Sequence, residues 1–373
     1  MCALTAGQRG RRVLLLDHAP QAGAKILISG GGRCNFTNTG TAPERFFSDN
    51  PAFCRSALNR YQPADFVALV EKHRIPYHEK TLGQLFCDGS ARAIVAMLLA
   101  ECAAAGVTLR LGCKITDIAK PDRFRIDTDQ GEFTAESLVL ATGGLSIPKM
   151  GATGFAYDAA RKFGLRVTET RPALVPLTFA GALLDMMRGI SGVSLDTEVT
   201  LAKHRFREAT LFTHRGLSGP AILQISSAWR AGDISLNLLP GADATAFLLD
   251  RKKTRPKAEL RTVLGEILPQ RLALALAAPH DPARLADMPD RTLRALAQQL
   301  AAWRLTPAGT EGYAKAEVTA GGIDTRDLSS RTMQANDVPG LFIIGEAADV
   351  TGWLGGYNFQ WAWASGWCAG QAA

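Results

Sequence analysis

Chemistry concentrates between Gly340 and Gln360, GLFIIGEAADVTGWLGGYNFQ, where an apolar run is followed by an acid and then by paired glycines. Leu341 to Ile344 is short, apolar and glycine-bounded, as an interior parallel strand is. Glu346 comes next, after Gly345, at the carboxyl end of that strand, where open α/β sheets hold their ligands. A carboxylate there can accept hydrogen bonds from the hydroxyls of a ribityl chain. Gly355 and Gly356 lack Cβ atoms, so backbone N–H groups opening the next helix can approach an electron-rich ring edge. The pattern reads as a cradle for an isoalloxazine ring.

Two further stretches carry ligand chemistry. Residues 24–38, AKILISGGGRCNFTN, set Gly30, Gly31 and Gly32 between Lys25 and the pair Arg33 and Asn35. Three consecutive glycines resist regular structure and permit close backbone approach, so a ligand loop is expected. Cys34 has no activating partner in the sequence and reads as a small residue beside a cofactor. Asp17 ends an apolar strand over Arg12 to Asp17, where a dinucleotide-binding unit places the acid that holds ribose hydroxyls; a turn-forming carboxylate is the plainer alternative. The strand and G-x-G-x-x-G turn that open such a unit are not found before it, and Met1 to Gly10 looks like the second half of a helix. The expectation is that the true start lies upstream.

The elements that must position these residues follow from periodicity. Helical spacing is predicted over 63–74 and 90–105, the second with Ser90 as N-cap and Gly106 as its stop. Strands are predicted at Val107 to Leu111 and Lys114 to Ile118, then a hairpin of Phe124 to Thr128 and Glu132 to Thr134 about Gly131, then Ser137 to Ala141 running into Thr142, Gly143 and Gly144. From about residue 172 strand-like segments alternate with turns, among them Leu174 to Phe179, Thr197 to Leu201 and Ile234 to Leu238. Residues 257–303 become Leu- and Ala-rich, with Leu293, Leu296, Leu300 and Trp303 at helical steps. That stripe reads as core. The predicted organisation is a Rossmann-like α/β cofactor domain over 1–171 and 317–373, an inserted β-barrel-like domain over 172–250 and 304–316, and a helical subdomain over 251–303.

Composition sets bounds. The chain has 373 residues, 47% hydrophobic and 21% charged, enough for a substantial core and two or three domains. No long apolar run or leader pattern appears, so a cytoplasmic, membrane-free protein is expected. Its seven cysteines lack C-x-x-C pairing, and its six histidines lack an H-E-x-x-H arrangement, which argues against a metal centre and a disulfide framework. Gly216-Leu-Ser-Gly219 and Gly144-Leu-Ser-Ile-Pro148 do not fit G-x-S-x-G, so a serine hydrolase is set aside. A net charge of +7 and the run Arg251, Lys252, Lys253, Arg255, Lys257 and Arg261 suit an anionic partner. No aromatics interleave with that run, so it reads as solvated surface and nucleic acid is not the expected partner.

Taken together, KILISGGGRCNFTN, TLGQLFCDGSA, LVLATGGLSIP, LFTHRGLSGPAILQISS, EVTAGGIDT and GEAADVTGWLGGYNFQWAW resemble the bacterial flavoproteins similar to aminoacetone oxidase and to 3-dehydro-bile-acid reductases, the NAD(P)/FAD-dependent oxidoreductases. The resemblance spans essentially the whole chain, apart from the opening glycine turn. It implies FAD, a Rossmann-type domain with inserted β and helical domains, and hydride transfer with NAD(P)H as a donor and a small organic substrate. It also implies that Asp17 holds the adenosine ribose, that Lys25 to Asn35 line the cofactor and that Ile115 meets adenine through its backbone. Ala141, Thr142, Gly143 and Gly144 would lie near pyrophosphate or ribose, Glu346 and Asp349 near the ribityl and pyrophosphate, and Gly356, Tyr357, Asn358 and Phe359 at the flavin pyrimidine edge. His214, Arg215 and Tyr357 are substrate-side candidates, for each of which a packing or hydrogen-bonding role is equally open. The rivals are an amine oxidase that releases peroxide and an RNA-associated flavoprotein.

Overall fold

A computed structural model of the chain describes residues 1–280 and 283–373. Residues 281 and 282, inside the expected helical segment, lie outside the described residues. The chain forms two compact units, Met1–Arg171 with Val318–Ala373, and Pro172–Glu317.

The first unit opens with α1 (Cys2–Gln8), β1 (Leu14–Leu16), α2 (Ala24–Ile28), β2 (Asn35–Asn38), β3 (Phe46–Phe47), α3 (Cys54–Arg60) and α4 (Pro63–Lys72). It continues through β4 (Tyr77–Glu79), β5 (Gln84–Cys87), α5 (Arg92–Ala104), β6 (Thr108–Arg110), β7 (Ile115–Ala119), β8 (Phe124–Thr128), β9 (Gly131–Ala135), β10 (Leu138–Leu140) and α6 (Phe155–Lys162). The second unit holds β11 (Arg171–Ala173, at its boundary), β12 (Leu177–Thr178), α7 (Gly181–Gly189), β13 (Ser194–Leu201), β14 (His204–Thr213), β15 (Gly216–Ser218), α8 (Pro220–Ala228), β16 (Ile234–Asn237), α9 (Ala244–Thr254), α10 (Leu260–Leu264), α11 (Gln270–Ala277), α12 (Asp290–Ala301), β17 (Trp303–Leu305) and β18 (Gly309–Thr310). The first unit closes with β19 (Val318–Ala320), β20 (Leu341–Ile343), β21 (Thr351–Gly352) and α13 (Tyr357–Gly370).

In the first unit, β1 pairs in parallel with β6, and β10 in parallel with β20. The two pairs are separate ladders. β7, β8 and β9 form an antiparallel meander, and β2, β5 and β4 a second small antiparallel sheet. The core is built around α13. Trp361 and Trp363 are buried there, Trp363 stacks on Phe66 with ring centres 4.6 Å apart, and its indole N–H donates to the Phe36 carbonyl at 2.8 Å. In the second unit, seven strands run in the order β17-β16-β13-β14-β15-β12-β18, every neighbour antiparallel. All seven cysteines are unpaired and buried, and among the described residues no helix is long and apolar enough to cross a membrane.

Four local expectations differ from the structure. Residues 24–38 do not form one irregular loop. Gly23 starts α2 with φ +74°, Gly30 and Gly31 turn the chain left-handed at φ +56° and +67°, and β2 follows, so the glycines are confined to the junction between two ordered pieces. The segment Leu174 to Phe179 is not one strand: Leu174 has φ +48°, which breaks it before β12. Trp303 is not on the helical stripe, because Ala302 leaves helical geometry and Trp303 pairs with Leu236 as a strand residue. Ser90 is displaced from the cap of α5 by Ala91, although its hydroxyl still accepts from Arg92 N–H.

Replacing Phe66 with Ala empties a fully buried ring site against Trp363, and such truncations cost about 3–5 kcal/mol. Urea unfolding followed by tryptophan fluorescence measures it; a loss below about 1 kcal/mol would show that this stack does not hold α13 in place.

Candidate functional site

Glu346 leaves β20 on a short 3-10 turn, Gly345–Ala347, that α13 clamps from behind. The Trp361 indole N–H donates to the Gly345 carbonyl at 2.9 Å, and Gly345 N–H donates to Ser365 Oγ at 3.0 Å. The carboxylate is thereby aimed at three segments remote in sequence. Its Oε1 accepts from Thr319 N–H at 2.8 Å and from Ser146 Oγ at 2.9 Å, while Oε2 accepts from Lys25 Nζ at 2.5 Å. Lys25 Nζ also donates to Ser146 Oγ at 2.7 Å. The pair is partly desolvated, with the Glu346 side chain 17% exposed and that of Lys25 41%.

Gly144 is needed here for lack of room. A Cβ on it would fall 2.5 Å from Thr319 Oγ1 and 2.9 Å from Glu346 Oε1. Gly143 is the opposite case: its φ of +73° requires glycine, and a Cβ would meet nothing within 4 Å, so the backbone there borders open space. Gly31 is likewise left-handed and open, whereas Gly30 packs on Phe86 and Asn35. Gly32 is left-handed too, and its carbonyl accepts from Ala91 N–H at 2.8 Å.

Asp17 stands at the end of β1 with Oδ1 accepting from Ala19 N–H at 2.9 Å. Its backbone continues the pairing with the segment after β6, through Asp17 N–H to the Arg110 carbonyl and Cys113 N–H to the Asp17 carbonyl, both 2.9 Å. Ile115 opens β7 two residues later, so the two expected adenosine-side residues share one edge. The neighbouring His18 ring reaches the loop after Ser146, where a Cβ on Gly151 would lie 2.3 Å from His18 Nε2. Asp17, Lys25, Ala141 to Gly144 and Glu346 therefore belong to one connected region.

Gly355 and Gly356 have φ of +110° and +96°. The close approach they allow is to protein: a Cβ on Gly356 would lie 2.4 Å from the Thr37 carbonyl, and one on Gly355 2.9 Å from the Gln84 amide. With its amide oriented to satisfy its neighbours, Asn35 accepts from Gly356 N–H at 3.2 Å, and Asn38 donates to the Gly355 carbonyl at 2.8 Å. The Asn358 side chain closes the turn, accepting from Gly352 N–H at 2.8 Å and donating to the Gly352 carbonyl at 2.9 Å. Phe359 stacks on Trp363 at 5.5 Å.

Other expected residues take separate places. Asp349 is buried and fastens the segment before α3, accepting from Asp49 N–H at 2.9 Å. Burial pushes its carboxyl above the ordinary range. Burial also drives the Cys34 thiol up to about 12, so it is no nucleophile at neutral pH. Arg33 is exposed beside it. His214 and Arg215 form the turn between β14 and β15 in the second unit, where Arg215 pairs with Glu311 and the His214 carbonyl accepts from Arg188. Tyr357 is buried, and its hydroxyl accepts from Arg45. Sequence reading missed Ser146 and Thr319. Each sits within a motif, yet its partners come from other segments.

The family model described as "HI0933-like protein Rossmann domain" matches residues 1–372. The chain is 50% identical over 381 aligned residues to the "Ribosomal RNA dihydrouridine synthase" of Escherichia coli (strain K12), covering 99% of this chain and 94% of that protein. A protein of the same name from Haemophilus influenzae is 42% identical over 374 residues, with 98% and 93% covered. The "3-dehydro-bile acid delta(4,6)-reductase" of Clostridium scindens is 30% identical over 401 residues, with 97% and 92% covered.

Asp349 supplies a pH test. A carboxyl whose folded-state pKa is raised contributes stability that is present below the unfolded value and lost as pH rises through the folded one. The stability of the wild type relative to Asp349→Asn is therefore expected to fall as pH rises above about 4, read from denaturant midpoints. A difference independent of pH would contradict the assignment of burial as the cause.

Proposed function

This chain belongs to the HI0933-like Rossmann-domain family, and on that premise we propose that it is a flavin-dependent reductase of a uracil base in ribosomal RNA. The observation that carries the substrate is the 50% identity, over nearly the full length of both chains, with a protein named for rRNA dihydrouridine synthesis. The net reaction adds a hydride at C6 and a proton at C5 of the uracil ring; NADH or NADPH is the proposed hydride donor and becomes NAD⁺ or NADP⁺. Flavin, when bound, supplies hydride transfer between nicotinamide and base.

The donor set suits FAD. Two carboxylates able to accept from sugar and polyol hydroxyls, Asp17 and Glu346, follow strands β1 and β20, and Gly31 and Gly143 border open space with left-handed backbone. Glu346 would hold the ribityl chain, Asp17 the adenosine ribose, and Lys25 would orient Glu346 while leaving one side of the pair to solvent. Trp361 and Ser365 fix Glu346 from the core side, so that a bound polyol meets a preoriented acceptor. The positive net charge favours an RNA substrate. Little of that attraction comes from the basic run, because Arg251 pairs with Asp250 and Glu266, Lys252 with Asp290, Arg255 with Glu266, and Arg261 with Glu259.

The second reading, a reductase of a small cyclic enone, is favoured by the bile-acid reductase at 30% identity. Incubating the protein, FAD and NADH or NADPH with unmodified ribosomal RNA, then digesting to nucleosides, separates them: dihydrouridine two mass units above uridine is expected. Nicotinamide oxidised by steroid enones with no dihydrouridine formed would replace the RNA reading. Gly144→Ala is expected to lower FAD retention about 10- to 100-fold through overpacking against Thr319 and Glu346. Unchanged retention would move the cofactor away from this region.

A further inference from the structure

We propose that Lys25 gives the site its preference for a phosphorylated flavin, an inference that rests on the flavin reading above. A carboxylate offers about four acceptor positions, two on each oxygen. On Glu346, Oε1 is filled by Thr319 N–H at 2.8 Å and Ser146 Oγ at 2.9 Å, while Oε2 receives Lys25 Nζ at 2.5 Å. Among the described residues one position on Oε2 is left. Lys25 gives one N–H to Glu346 and another to Ser146 Oγ at 2.7 Å, which leaves the third N–H of the ammonium, on a side chain 41% exposed. The network therefore presents an acceptor and a charged donor side by side, on atoms 2.5 Å apart. A hydroxyl meets the first and an anionic oxygen the second. A polyol phosphate carries both on one short chain, whereas riboflavin carries hydroxyls alone.

A purely structural staple between α2 and the Gly345–Ala347 turn would bury the ammonium and use every donor. Lys25 is instead fixed at its base and open at its tip. A Cβ on Gly23 would fall 2.7 Å from Val95 Cγ2, so the start of α2 is seated against α5 and the lysine stem leaves from a fixed point. Thr319 and Ser146, both buried, hold Oε1 of the acid. Because those two donors fill half of the Glu346 acceptor capacity, the ammonium is not consumed by its partner. Its remaining N–H can make a charge-assisted bond to a phosphate oxygen, roughly twice as strong as a bond between neutral groups. The acid thus reads the polyol and the lysine reads the group at its end.

The full-length chain is titrated with riboflavin, FMN and FAD, followed by quenching of flavin fluorescence. FMN and riboflavin differ by the phosphate alone, so the ratio of their dissociation constants isolates its contribution. Wild type is expected to favour FMN about tenfold or more, and that ratio is expected to shrink as KCl rises from about 20 to 500 mM. Lys25→Gln, which keeps a neutral donor toward Glu346 and Ser146, is expected to weaken FMN and FAD about 10- to 100-fold while changing riboflavin less than about threefold. Glu346→Gln is expected to weaken all three without lowering the ratio. A wild-type ratio near one, or equal weakening of FMN and riboflavin by Lys25→Gln, overturns the role of Lys25 and leaves flavin binding in place. Wild type that binds none of the three overturns the flavin reading, and this inference with it.

Discussion

A half-buried carboxylate with its charge turned inward is the constraint around which the first unit is assembled. Glu346 is held beside α13 by Lys25, Ser146 and the Thr319 amide, and those partners come from the start, the middle and the end of the chain. The same demand explains the neighbourhood. Gly144 must lack a side chain so that Thr319 can reach the acid, and Gly345 must turn left-handed, φ +61°, so that Trp361 and Ser365 can hold its amide and carbonyl.

Much of this was readable from residue order because the signals were local. An apolar strand ending in Gly345 and Glu346, an acid closing β1, and glycines before α13 each rely on neighbours a few positions away. What periodicity could not supply was the reason for particular glycines. Gly355 and Gly356 look ligand-facing in sequence, yet their missing Cβ atoms make room for Gln84 and Thr37, residues some 270 to 320 positions earlier.

The basic run in the second unit is largely balanced by its own acids. Six cations within eleven residues suggest an anion-binding face, but four of them have carboxylates as immediate neighbours. Local density of charge is a poor guide when helices fold back on their own acids.

Four of the chain's six indoles, Trp353, Trp361, Trp363 and Trp367, lie on α13 or within four residues of its start, and one of them grips the turn that presents Glu346. That arrangement makes the helix an optical antenna. Tryptophan emission overlaps the near-ultraviolet absorption of oxidised flavin, so a dinucleotide settling beside this helix would drain its excited states by resonance transfer. The protein thus carries an intrinsic gauge of its own loading, legible as dimming without any attached dye.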